Sequence, residues 1–148
     1  MGLAEKSLSE EQSEELTGML EMASDIERIG DLAENIAEFA EYRIENRLPL
    51  TDTAVEELTQ MYGLVRENIL RCREAIETDN EDLARETLEV EQQINQMEKD
   101  LRRNHMNRLN MGLCNPASGV MFLDVISNLE RIADHVAHMA NIVMGEPY

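Results

Sequence analysis

Sixteen residues of this chain occur twice at a constant offset. Ser24–Phe39, SDIERIGDLAENIAEF, returns 103 positions later as Ser127–Ile142, SNLERIADHVAHMANI. Apolar residues recur at spacings of three and four in both copies, the pattern of a helix with one buried face. The chain must therefore hold two helices built alike, one near each end. Glu27 corresponds to Glu130 and Asp31 to Asp134. Each copy thus sets two carboxylates one turn apart on one face. Like charges at that spacing destabilise a helix by about 0.2–0.5 kcal/mol. A cation bound between them is one reason to accept that cost twice.

The rest of the chain reads as helix as well. Only Pro49, Pro116 and Pro147 interrupt it, tryptophan is absent and aromatics are scarce, so the core is aliphatic and rich in Met. A first helix is expected from about Ser9 to Arg47, with Ser9 and Gln12 as a capping box and Met22, Ile26, Ile29, Ala33, Ile36 and Ala40 inward. A second starts near Thr53, capped with Glu56, and carries Val55, Leu58, Tyr62, Val65, Ile69, Cys72 and Ile76. Asp79 or Asn80 caps a third, with Leu83, Thr87, Val90, Ile94, Met97 and Leu101 on its seam, ending near Met111 with Gly112 as its cap. Asn115 and Pro116 start the fourth, which runs to about Met144 over Val125, Leu129, Ile132, Val136, Met139 and Val143. Long helices joined by short turns predict an all-α antiparallel bundle in one domain, residues 1–148. The repeat relates the first helix to the fourth, while nothing precedes the first to match the second and third. The chain therefore reads as one complete three-helix unit plus the last helix of a preceding unit, truncated on its N-terminal side.

The formal net charge of −18 sets the function classes apart. Such a surface repels phosphate backbones and anionic leaflets, so nucleic acid and membrane surfaces are poor partners and cations are better ones. Cys72 and Cys114 make no disulfide framework and no C-x-x-C pair, which points to reduced thiols in the cytoplasm. No secretory leader and no run of ~20 apolar residues is present in the sequence.

The candidate ligands are the two Glu-x-x-x-Asp pairs, Glu27 with Asp31 and Glu130 with Asp134. Arg28 and Arg131 follow the glutamates and could instead pair with the aspartates. Glu91, Asn95 and Glu98 form a second oxygen-rich stripe, on the third helix, able to complete a coordination sphere from a neighbouring helix. His135 and His138 have the spacing of a transition-metal chelate but no counterpart in the first copy, which has Leu32 and Asn35 there. His105 and Asp124 read as surface residues, and Ser24 and Ser127 as small residues at helix contacts. No histidine follows a glutamate by three, so the ligand pattern of oxygen-activating di-iron bundles is missing. No nucleophile–base set is visible either, and a hydrolytic or redox enzyme ranks last.

Glu27-Arg-Ile-Gly-Asp31 and Glu130-Arg-Ile-Ala-Asp134 resemble the repeated signature of the PhoU family of phosphate-uptake regulators. The surrounding residues 122–136, with Asn35–Glu38 and Ile94–Glu98, are similar to the PhoU-like cytoplasmic domain of bacterial sodium/phosphate cotransporters. The resemblance runs from about Leu8 to Met144. It implies two three-helix units related by a pseudo-twofold axis, and metal ions held by the Glu-x-x-x-Asp motifs, with iron, zinc and nickel among the candidates. The implied ligands are Glu27, Asp31, Glu130 and Asp134, with Glu91 and Glu98 from the middle helix. Leu32, Ala133 and Asn95 depart from the family pattern.

Two functions are expected from these readings. One is a non-enzymatic, metal-binding regulatory domain of phosphate uptake, facing a transporter membrane domain or a phosphate-signalling protein from the cytoplasm, tethered to the inner face of the membrane in a cotransporter. The other is a metal-free helical scaffold with solvent-facing acidic stripes. In either case apolar seams left uncovered favour a homodimer.

Overall fold

The computed structural model describes residues 9–145 and consists of four helices. These are α1 (Glu10–Asn46), α2 (Asp52–Thr78), α3 (Glu81–Asn110) and α4 (Pro116–Val143). Their ends follow local chemistry. Ser9 accepts from the Gln12 backbone N–H while the Gln12 side chain accepts from the Ser9 N–H, each at 3.1 Å, the capping box expected there. Asn115 caps α4 and Pro116 is its first residue. Asn80 caps α3, whereas Asp79 closes α2 in the left-handed region at φ 50°.

α2 departs from expectation in start and register. Its cap is Thr51 rather than Thr53; the Thr51 hydroxyl accepts from the Ala54 N–H at 3.1 Å. Its inward residues are Ala54, Met61, Val65, Asn68, Cys72 and Ala75, while Val55, Tyr62 and Ile76 are exposed. The face is turned because Asn68, a polar residue, is in the core. Its amide donates to the Thr87 carbonyl on α3 at 3.1 Å and its oxygen accepts from Arg71 at 2.7 Å, so burial leaves no polar atom unmatched.

α2, α3 and α4 form a three-helix unit around Met61, Ile94, Phe122, Ile126 and Val136, all fully buried. α4 is the hub and touches every other helix. Among the described residues α1 packs on α4 and on neither α2 nor α3. Its inner line is Met22, Asp25, Ile29, Leu32, Ile36 and Phe39, all buried or half-buried. Ile26, Ala33 and Ala40, expected inside, are exposed.

Those exposed residues belong to a second stripe on α1, formed by Leu16, Met19, Ala23, Ile26, Gly30, Ala33, Ala37 and Ala40. Adding the repeat offset converts it into Gly119, Phe122, Ile126, Leu129, Ala133, Val136, Ala140 and Val143. In α4 that line is buried, with Val143 half-buried, and it faces the three-helix core. The same stripe is thus covered in one copy of the repeat and open in the other.

Candidate functional site

α3 and α4 run antiparallel and bring their carboxylates face to face. Asp134 faces Glu91; burial of its inner side, then hydrogen bonding to Glu91 and the Glu91 charge, raise its pKa from 3.8 to about 6, against the pull of His135. Asn95 donates to Glu91 at 2.7 Å and fixes that carboxylate from the same helix. One turn along, Glu130 is held above the usual carboxylate range by burial, then by the charges of Glu98 and Asp134, against the opposing pull of Arg102 and Arg131. Glu98 is buried and accepts from Arg102 at 2.6 and 2.8 Å. Four of the six candidate ligands therefore share one face, crowded with negative charge that Arg102 partly offsets.

Glu27 and Asp31 are not on that face. Both are exposed on α1, which does not reach α3. Asp31 lines a cavity of about 280 Å³ with Arg28, Leu32, Arg131 and His135. The α4 pair has the carboxylates of α3 opposite it; Asp31 of the α1 pair has Arg131 and His135 of α4 beside it instead. Among the described residues no group of three or more His, Cys, Asp or Glu is placed to hold one metal ion. The oxygen donors of the α3–α4 face suit a hard or borderline cation in kind, but Glu98 is already held by Arg102. A cation there would have to loosen Glu98 from Arg102.

A second polar cluster joins α1 to α4. Asp25, the one fully buried residue of α1, places Oδ1 2.9 Å from His135 Nδ1 and Oδ2 2.5 Å from His138 Nδ1. Glu21 approaches His138 Nε2 at 3.5 Å. Asn35 donates to Asn128 at 3.3 Å farther along the same contact. The repeat offset turns 25 into 128 and 35 into 138, so the two cross-helix pairs exchange with each other. α1 and α4 therefore meet antiparallel about a local twofold. Asp25 was not singled out from sequence; the available signal was its place between Met22 and Ile29, on the line that faces His135 and His138. His105, read as a surface residue, is buried and stacks on Phe122 with centroids 4.8 Å apart. Ser24 is exposed rather than a contact residue. Cys72 is in the core as expected, and burial, then the Asp25 charge, push its thiol up to about 11, which removes thiolate chemistry. No helix among the described residues is long and apolar enough to cross a membrane.

The PhoU domain family model matches residues 1–40 and 58–143, and each stretch contains one copy of the repeat. A phosphate-specific transport system accessory protein, PhoU homolog 1 of Thermotoga maritima, is 28% identical over 126 residues, which is 85% of this chain and 53% of that protein. The chain thus spans about half the length of the curated relative it matches. No solved structure matches. With both copies of the repeat inside the matched stretches, the chain belongs to the PhoU domain family.

Proposed function

We propose that this chain is a non-enzymatic regulatory module of phosphate transport that works by offering the outer stripe of α1 to a pair of helices. The observation that carries this reading is the correspondence of that open stripe with the covered stripe of α4. What α4 receives from α2 and α3, α1 is built to receive from elsewhere. Gly30, Ala23, Ala33 and Ala37 keep the middle of the stripe low enough for close helix approach, and Glu27, Glu34 and Glu41 line its edge, selecting basic side chains. The relative's role in a phosphate-specific transport system and the sequence resemblance support a transporter membrane domain, as in a sodium-dependent phosphate cotransporter, or a phosphate-signalling protein as the source, on the cytoplasmic side. In a longer protein the pair could also come from chain ahead of α1, and in a homodimer two α1 stripes would face one another.

The test replaces Ile26 and Ala33 with Glu. Both are exposed, so thermal stability of the isolated chain should change by less than about 0.5 kcal/mol, while control of phosphate uptake in the host cell should be lost. A double variant that folds and still regulates uptake refutes the reading. Sedimentation of the wild type and the same variant separates the homodimer from a different partner.

A second reading, metal binding by the Glu130/Asp134 face with Glu91 and Glu98, is favoured by the raised carboxyls there. It treats Glu27 and Asp31 as a separate pair, which would need further oxygen or nitrogen donors to complete it. Iron, zinc and nickel are the ions to try. A Glu130→Ala/Asp134→Ala variant that retains the wild-type metal content removes these residues from any site.

A further inference from the structure

A cavity of about 190 Å³ lies where α2 and α4 begin and α3 ends, away from both carboxylate faces. Three side chains at its wall hold four polar atoms left without a hydrogen-bond partner: Arg108 Nε, Ser118 Oγ and both ring nitrogens of His105. Ser118 is 3% exposed and His105 2% exposed, so bulk water does not serve them. Arg108 Nε can only donate, and a serine hydroxyl and a neutral imidazole can each donate. Arg108 Nε, the Ser118 hydroxyl and the protonated nitrogen of His105 therefore all lack an acceptor. We propose that this cavity binds a compact, largely apolar molecule presenting one carbonyl or carboxylate oxygen to Arg108, Ser118 and His105.

The walls set the rest of the ligand. Leu50, Leu113 and Phe122 line the same space, so a fully hydrated inorganic oxyanion would be stripped of water against apolar carbon. The positive charge of Arg108 is already matched, since its Nη2 lies 2.6 Å from Glu57 Oε1. Burial and the neighbouring Arg108 lower the His105 pKa, keeping the ring neutral near pH 7. The volume equals about six waters at roughly 30 Å³ each, the bulk of one ring with one polar substituent. Gly119 supports the ring's position, because a Cβ there would come within 2.6 Å of His105 Nε2.

The test titrates the full chain, labelled with nitrogen-15 at histidine, with benzamide, benzoate and inorganic phosphate, reading the ring signals. Binding predicts saturable shifts of His105 with benzamide or benzoate while His135 and His138, on the α1–α4 contact, stay still. Benzamide and benzoate acting equally assigns an uncharged carbonyl ligand; benzoate alone assigns a carboxylate. Ser118→Ala should weaken binding about fivefold. Leu113→Trp, at an exposed rim position, should abolish it with the His135 and His138 signals intact. His105 signals unmoved by both organic probes up to their solubility limits, or moved by phosphate only, overturn the proposal. So does a crystal structure grown with benzamide that shows ordered water alone in the cavity.

Discussion

Replacing Asp25 with Ala should free α1 from the rest of the molecule without unfolding it. Asp25 is 4% exposed and faces both His135 and His138 across the only contact α1 makes among the described residues. A hydrogen bond to a charged group contributes about 1.5–3 kcal/mol, and breaking one side of a buried pair costs about 3–5 kcal/mol. His135 reaches solvent and can take water instead, so about 3 kcal/mol is the reasonable loss. The apolar part of the contact is too thin to hide it, since Met22, Ile29, Leu32 and Ile36 are only half-buried. At 1.4 kcal/mol per tenfold, opening of α1 becomes about 150-fold more frequent. Hydrogen exchange read by mass spectrometry reports this directly: α1 peptides should lose protection by that factor while α2 and α3 peptides keep theirs. Asp25→Asn should lose less, because an amide oxygen still accepts from one ring, much as the equivalent Asn128 accepts from Asn35. Unchanged α1 protection in Asp25→Ala, or an equal loss across all four helices, would refute the reasoning that α1 is a separately docked layer held by this cluster.

Three further outcomes follow from the geometry. The Asp134 pKa is raised in the fold, so the stabilisation it brings is complete below its ordinary 3.8 and is lost as pH rises through about 6; the shift corresponds to about 3 kcal/mol at most, cut to about 1 kcal/mol by its exposure, and Asp134→Asn should melt higher than wild type at pH 8 and about equally at pH 4. Gly119→Ala drives a methyl into His105, which Phe122 holds in place, and should destabilise by about 1–3 kcal/mol in urea unfolding, whereas Gly30→Ala, with nothing within 4 Å, should stabilise by about 0.5–1 kcal/mol. If the α3–α4 face takes a cation, zinc or nickel should raise the melting temperature of wild type and release protons, neither effect should appear in Glu130→Ala/Asp134→Ala, and chelator should reverse both.

The helices themselves could be read from the sequence because their punctuation is local: a serine with a glutamine three residues on, an asparagine before a proline, one polar turn at Asp79 and Asn80. The family could be read from the repeated carboxylate pairs. Which face of each helix turns inward was harder. On α1 two apolar lines compete, and only the partner decides between them; the sequence reading mixed Ile26, Ala33 and Ala40 from the open line with Met22, Ile29 and Ile36 from the covered one. On α2, Asn68 occupies a core position because Thr87 and Arg71 satisfy its amide, which no pattern of apolar residues can reveal. The candidate site divides the same way. Glu91, Glu98, Glu130 and Asp134 come together because α3 and α4 are neighbours in the chain joined by a short turn. Glu27 and Asp31 stand apart because α1 packs on α4 and does not touch α3. Asp25 escaped notice because a lone aspartate on an apolar line acquires meaning only from histidines 110 and 113 residues away.

The most direct test of the account is site-specific photocrosslinking from the α1 stripe in the host cell. A photoreactive residue at position 26 or 33 should crosslink to a component of phosphate transport or signalling, or to a second copy of this chain, far more efficiently than the same residue at Arg66, an exposed position on α2. Crosslinking from the stripe no greater than from Arg66 would mean that the open face of α1 is simply solvated, and would contradict the proposal that this chain acts by docking helices there.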